Sequence, residues 1–195
     1  DVEGRVITKD EFKAKLRTGQ FSVDKPQANG KAWASMSLKP AGTPDAVRTQ
    51  ALSPLRAFNT PAPSFSATDL QGRPVSTENL RGKVVVLNFW FVNCPYCIEE
   101  MPDLKRVATA YQGQDGVVFL AFALDKPERL RQFLQQRGDF GFAIVPEAKR
   151  LAQQFAVTGY PTTIVLDKQG QFIYDQEFTD STARLEEAIQ RGLQQ

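Results

Sequence analysis

The sequence predicts an α/β fold, a mixed sheet with helices on both faces. Three observations predict it. From Pro63 onward, short strand-like runs alternate with helical patterns. The most apolar run, Val84-Val85-Val86-Leu87-Asn88-Phe89-Trp90-Phe91-Val92, lacks the polar alternation of a half-exposed strand, so it reads as buried on both faces and central. Near the C-terminus, two strand patterns flank Lys168-Gln169-Gly170, a turn that makes one edge antiparallel.

Residues 1–60 read as an extension of unknown role, and residues 61–195 as the main domain. Thr8-Lys9-Asp10-Glu11 fits a capping box, so a short helix follows with Phe12 and Leu16 on one face. Phe21–Val23 and Lys31–Leu38 read as strands of a hairpin around Asn29-Gly30. Residues 45–53 read as a short helix that stops before Pro54, and Asn59-Thr60-Pro61-Ala62-Pro63 marks the boundary.

The main domain opens with a small hairpin, residues 64–69 and 74–76 flanking Gln71-Gly72-Arg73. One helical turn is expected over Thr77–Leu80. The central strand spans Lys83–Phe91. Pro95–Tyr111 is helical, because Ile98, Met101, Leu104, Val107, Ala108 and Tyr111 recur at spacings of three and four. Val117–Leu124 is a second buried strand. Pro127–Arg137 is a helix with Leu130, Phe133 and Leu134 on one side. Phe142–Val145 is a short strand and Glu147–Phe155 a helix. Strands over Thr162–Asp167 and Gln171–Glu177 form the closing hairpin, and Thr182–Leu193 ends the chain as a helix.

Composition narrows the function. The length of 195 residues suits one domain with a smaller appendage, and a hydrophobic content of 42% supports a sizeable core. The net charge of +2 is spread along the chain, which gives no reason to expect a nucleic acid partner. No apolar stretch approaches the roughly 18 residues that span a bilayer, and no secretory leader is visible at Asp1. There is no histidine, which removes Ser/His and Cys/His catalysis and most transition-metal sites.

The chemistry gathers at Cys94-Pro95-Tyr96-Cys97, which holds the only two cysteines of the sequence. A zinc site needs two further good ligands, and the chain has neither a third cysteine nor a histidine. A redox pair and an inert pair of core cysteines remain. The position favours the redox pair. Cys94 falls at the N-cap of the helix that follows the central strand, with Pro95 at N1, where its missing N–H costs nothing. Unpaired first-turn N–H groups and the positive helix end favour an anion on that sulfur. A disulfide is attacked only by a thiolate, and an ordinary cysteine thiol, with a pKa of about 8.5, is mostly protonated at neutral pH. Cys97, one turn in and expected to be the more buried, is placed to resolve a mixed disulfide on Cys94. Glu100, one turn past Cys97, is a candidate to take or give its proton, against the alternative of a solvated glutamate in an early helical turn.

The order of elements, the Cys94–Cys97 pair after a strand, and the later Val157-Thr158-Gly159-Tyr160-Pro161-Thr162-Thr163 resemble the thioredoxin fold. Within it, Ala62-Pro63-Ser64-Phe65, Leu80-Arg81-Gly82-Lys83 and Val86-Leu87-Asn88-Phe89-Trp90 resemble the extracytoplasmic thiol–disulfide oxidoreductases of the TlpA/ResA type. The resemblance covers residues 61–195. It implies a thioredoxin-like three-layer α/β/α domain with a leading β-hairpin, and a central insertion over Lys126–Pro146. It also implies the glutamate role of Glu100 and a cis proline at Pro161 facing the cysteines. Tyr160 and Pro161, with Pro95 and Tyr96, become the candidate substrate-binding residues. Asn88 takes the place where thioredoxins proper keep a buried acid, and reads as a buried amide satisfied by backbone groups. Asn93 stands where the family usually has tryptophan, which alters the surface presented to a partner.

The implied activity is reduction of protein disulfides outside the cytoplasm, for example during cytochrome c maturation. The redox-active disulfide itself serves in place of a cofactor, with no metal. The implied partners are a protein disulfide substrate and an upstream, membrane-bound thiol donor. Two alternatives stand beside it. One is a thioredoxin-fold partner-binding module in which the cysteines are secondary. The other is a peroxiredoxin-like peroxidase, which would need a Pro-x-x-x-Thr-x-x-Cys setting that Phe89-Trp90-Phe91-Val92-Asn93 lacks.

Overall fold

The computed structural model describes residues 21–24, 35–38, 56–177 and 182–195. The chain divides into two units, 1–51 and 52–195. In the first, β1 (Phe21–Asp24) pairs antiparallel with β2 (Ser35–Leu38), Phe21 lying opposite Leu38. The two expected strands are therefore paired over these residues, while residues 31–34 of the second lie outside the described residues. The turn at Asn29-Gly30 and the helices expected after Thr8 and over 45–53 lie outside the described residues.

In the second unit, β3 (Ser66–Thr68) and β4 (Pro74–Ser76) form the leading antiparallel hairpin. Then come β5 (Val84–Trp90), α1 (Pro95–Ala110), β6 (Val117–Ala123), α2 (Pro127–Arg137), β7 (Ala143–Val145), α3 (Lys149–Gln154), β8 (Thr162–Leu166), β9 (Phe172–Glu177) and α4 (Thr182–Gln194). The sheet order is β7-β6-β5-β8-β9. Strand β5 pairs in parallel with β6 and antiparallel with β8, so it is central, as its unbroken apolar run requires.

All seven residues of β5 are buried, and alternate side chains go to opposite faces. Val84, Val86 and Trp90 pack on one face with Met101, Leu104 and Val107 of α1, Leu130 of α2, and Leu185 and Ile189 of α4. Val85, Leu87 and Phe89 pack on the other with Phe65, Phe122, Ala152 and Phe155. There Phe65 and Phe89 both meet the Phe122 ring, with centroids 5.3 and 5.1 Å apart in edge-to-face geometry. Both faces are thus covered, which fixes the three-layer arrangement.

Two elements differ from expectation. Residues 77–80 form turns rather than a helical turn. Helix α3 starts at Lys149 rather than Glu147, because Glu147 has a φ of 52°, outside the helical region. The Ala148 N–H instead donates to the Ala123 carbonyl at 2.8 Å, tying this loop to β6. Residues 56–62 strap onto the β8–β9 hairpin: the Asn59 N–H donates to the Phe172 carbonyl at 2.9 Å and the Ala62 N–H to the Gly170 carbonyl at 2.9 Å. Beneath the strap, Arg56 and Asp175 form an ion pair at 2.9 Å, their side chains 1% and 4% exposed.

The turn between β3 and β4 is held by one buried carboxylate. Asp69 Oδ1 accepts the N–H groups of Gln71 and Arg73, both at 2.9 Å, and Oδ2 accepts Arg73 Nε at 2.7 Å. Burial alone would push this carboxyl up. The Arg73 N–H and guanidinium and the Gln71 N–H more than offset that, and hold it below its ordinary 3.8. A depressed carboxyl stabilises the fold above its unfolded-state value, and the benefit disappears as the pH falls through the folded-state value. Because the Arg73 side chain is largely exposed, the backbone bonds carry most of the effect. Asp69→Ala is expected to cost about 1–3 kcal/mol at neutral pH. In denaturant melts the gap from the parent protein should narrow steadily below about pH 4; a gap independent of pH would show that the charge plays no part.

Candidate functional site

Strand β5 ends at Trp90, and the chain turns once before α1. Cys94 is the N-cap of α1, with extended backbone angles (φ −88°, ψ 104°), and Pro95 follows at the first helical position. The Cys94 sulfur accepts the Cys97 N–H at 3.2 Å, one of the first-turn donors that a helix leaves unpaired. Helix α1 carries no acidic residue in its first turn, so no carboxylate there opposes a thiolate. Cys94 and Cys97 are joined as a disulfide, with Cα atoms 5.2 Å apart. Cys97 is the more buried, as expected, but only by a margin: it is 1% exposed against 2% for Cys94. Both sulfurs belong to the apolar cluster between α1 and the sheet, which shields them alike.

Glu100 does not sit on a solvated face. It is 8% exposed and lies in the buried stripe Cys97, Glu100, Met101, Leu104, Val107 and Ala108. Its Oε1 accepts the Asn88 Nδ2 at 2.8 Å. The same Nδ2 reaches Thr163 Oγ1 at 3.2 Å. Asn88 and Thr163 are directly opposite each other on β5 and β8, so their side chains leave the sheet on the same face. The amide of Asn88 therefore meets side chains, not the backbone groups expected for it. Thr163 was not singled out from sequence; its register opposite Asn88 exists only once β8 has paired with β5. Helical spacing did contain the signal for Glu100, since position 100 shares a face with 97, 101 and 104.

The rim is formed where the strand ends converge. The Tyr160–Pro161 bond is cis, and Pro161 is buried immediately before β8. Phe89 lies opposite Thr162 in the antiparallel register, so Pro161 and Tyr160 continue alongside the end of β5 from which the cysteine turn departs. Accordingly, the Tyr160 ring meets Phe91 edge-on, with centroids 5.6 Å apart. Burial pushes the Tyr160 phenol above its ordinary value of 10.0. Pro95 and Asn93 are exposed beside the pair, and Tyr96 is among the exposed large hydrophobics. Trp90 is fully buried against Phe133 and Phe140, which makes it a packing residue. Asp125, just past β6, was not anticipated. Its Oδ2 accepts the Val92 N–H at 2.7 Å and so anchors the turn two residues before Cys94. Its position at the C-terminal end of a parallel strand, where α/β sheets gather their sites, was the available signal.

The arrangement can do thiol–disulfide exchange: two bonded sulfurs at a helix N-terminus, a buried carboxyl one turn behind them, and a proline-led strand alongside. Comparison with known proteins agrees. The model of the AhpC/TSA family matches residues 58–174. The thioredoxin-like protein YneN of Bacillus subtilis is 34% identical over 110 residues, which is 56% of this chain and 65% of YneN, so the chain spans just under two thirds of that relative. The thiol-disulfide oxidoreductase ResA of Bacillus thuringiensis is 29% identical over 132 residues, 67% of this chain and 75% of the relative. Among solved structures, a thiol:disulfide interchange protein of the thioredoxin family from Chlorobium tepidum superposes with a TM-score of 0.61 at 27% identity, covering 70% of this chain and 98% of that one. On the family match and the architecture together, the chain belongs to the AhpC/TSA family and carries a thioredoxin-like fold.

Proposed function

We propose that the protein is a thiol–disulfide oxidoreductase that reduces protein disulfides outside the cytoplasm through Cys94 and Cys97. The observation that carries this reading is the disulfide placed at the N-cap of α1, with the Cys97 N–H directed at the Cys94 sulfur. Relatives named thiol-disulfide oxidoreductase support it. In the reduced protein, the helix N-terminus favours a thiolate on Cys94. That thiolate attacks one sulfur of the substrate disulfide, and the other substrate sulfur leaves as a thiolate. Cys97 then loses its proton and attacks the Cys94 sulfur. The Cys94–Cys97 disulfide forms, and the second substrate thiolate departs. Two electrons pass from the pair to the substrate, whose two sulfurs take up two protons. An upstream thiol donor restores the pair by the reverse exchange.

Glu100 is the proposed acceptor of the Cys97 proton. It is the buried carboxyl of the same helix face, one turn away, where a side chain three positions on comes within about 5–6 Å at Cβ. Tyr160, Pro161, Pro95 and Tyr96 are proposed to receive the substrate. Because Cys94 is 2% exposed, a substrate sulfur reaches it only as the neighbouring rim gives way. Substrates of the kind presented during cytochrome c maturation, and a membrane-bound donor, fit the resemblance to the ResA type. The pair itself carries the electrons, so the cycle is written without a further cofactor. The peroxidase alternative gains nothing from the site, since the turn before Cys94 lacks the proline and threonine that reading requires.

Cys97→Ser should accumulate a mixed disulfide on Cys94 in an extracytoplasmic extract, whereas Cys94→Ser should accumulate none and should lose disulfide reduction. Retention of reduction by Cys94→Ser would favour the binding-module reading. Glu100→Gln should slow the resolving step at Cys97 by about a hundredfold at neutral pH, seen in single-turnover release of the substrate thiol. An unchanged rate and pH profile would remove Glu100 from the cycle and leave the cysteines in place.

A further inference from the structure

The face of β5 that meets α1 presents a row of four side chains, Val84, Val86, Asn88 and Trp90. Three are apolar core residues. The fourth is an amide that is 1% exposed, and its neighbours in register are Ala121 on β6 and Thr163 on β8. A buried amide without partners costs on the order of 1–3 kcal/mol, so a polar group in this row has to be met by something. What meets it is the Glu100 carboxyl, at 2.8 Å, and the Thr163 hydroxyl, at 3.2 Å. The amide presents its NH₂ end to the Glu100 carboxyl, the kind of donor that a carboxylate accepts. Thr163 is fully buried, and its oxygen accepts a second bond from the same NH₂, which fixes the plane of the amide.

We propose that Asn88, braced by Thr163, is a positioning residue for the exchange reaction: its amide holds the Glu100 carboxyl in the turn behind Cys97 and keeps it in the proton-accepting form. This rests on the reading of Glu100 as the acceptor of the Cys97 proton. A donor directed at the charged carboxylate favours that form over the protonated one. The proton leaving the Cys97 thiol goes onto the Glu100 carboxylate, and from there to the departing substrate thiolate or to water. An acid at position 88 would contend with Glu100 for the same proton; an amide orients the carboxyl without competing.

Ionisable groups also stand on the elements around Glu100, the exposed Asp103 one turn further along its helix among them. Its own helix contributes Cys97 and the half-buried Glu99. β5 and β8 face it with Asn88 and Thr163, neither of which titrates. On α4, which packs across α1, Glu186 pairs with Arg106 at 2.9 Å, Arg191 bonds the Ile173 carbonyl at 2.7 Å, and Arg184 and Glu187 are exposed. Asn88 Nδ2 is bonded directly to this carboxyl, at 2.8 Å.

The test uses the full chain with its disulfide reduced. NMR reads the Glu100 Cδ shift against pH, and single-turnover kinetics read the pH profile of the resolving step at Cys97. In Asn88→Ala, loss of a hydrogen bond to a charged group should move the Glu100 titration up by about one to two pH units. The Cys97 profile should move by the same amount. Thr163→Val, which keeps the volume and drops the hydroxyl, should give a smaller shift in both, and Thr163→Ser should restore parent behaviour. These Thr163 variants carry the test if Asn88→Ala does not fold. An unmoved Glu100 titration in Asn88→Ala, or in Thr163→Val if that variant stands in, overturns the proposal. A Glu100 titration that moves without the Cys97 profile also overturns it. If Glu100→Gln leaves the Cys97 profile unchanged as well, the Glu100 role itself fails; if that variant still alters the profile, Glu100 stands and only the positioning by Asn88 is lost.

Discussion

The complete burial of β5 is the constraint on which the rest of this domain depends. A strand buried along its whole length must be flanked by strands on both edges and covered on both faces. β6 and β8 supply the edges. Helices α1, α2 and α4 supply one face, and α3 with the leading hairpin supplies the other. The same strand delivers the cysteines, because its C-terminal end is where the chain leaves the sheet to start α1. Packing α1 on β5 therefore does two things together. It closes the core, and it sets the helix N-terminus and its unpaired N–H groups against Cys94.

That constraint also explains why the site is polar inside and apolar around. Cys94 and Cys97 lie within the apolar cluster, where water is scarce and a proton has few places to go. Among the polar groups there, the Asn88 Nδ2 donates to Glu100 Oε1 and to Thr163 Oγ1. At such depth a carboxyl and the amide bonded to it are better read as one unit than as two residues. At the rim, the Asp125 carboxylate pins the Val92 N–H and so holds the turn from the far side. The cysteine pair is thus fixed from behind by α1 and from in front by the loop after β6.

Much of this was legible in the sequence, and for physical reasons. Alternation of strand and helix patterns gave the element order, because it is dictated by which faces must be buried. The run Val84–Val92 announced a central strand. Pro95 after Cys94 announced the helix start. The cis form at Pro161 rested on resemblance, since local chemistry favours trans for most X–Pro bonds. What was not legible depends on tertiary register. Asn88 looked like an amide awaiting backbone partners, because nothing local reveals that Thr163, 75 positions later, pairs opposite it. Glu100 could be read as solvated because glutamate is common in the early turns of a helix, although its spacing from Cys97 and Leu104 placed it inward. The start of α3 was misplaced because Glu147 adopts a left-handed conformation, which no side-chain propensity of glutamate signals. The near-equal burial of the two sulfurs likewise follows from how the rim closes rather than from their order in the helix.

Cys94 and Cys97 should form a working redox couple within a fold that does not depend on their bond. The most direct measurement equilibrates the protein across a series of glutathione redox buffers and follows both thiol content and folded structure. One reversible transition is expected, in which both cysteines change together with the slope of a two-electron couple, about 30 mV per tenfold change in the ratio. The protein should stay folded at both ends. A pair that resists reduction until the protein unfolds would mark the disulfide as a structural brace and not a redox couple.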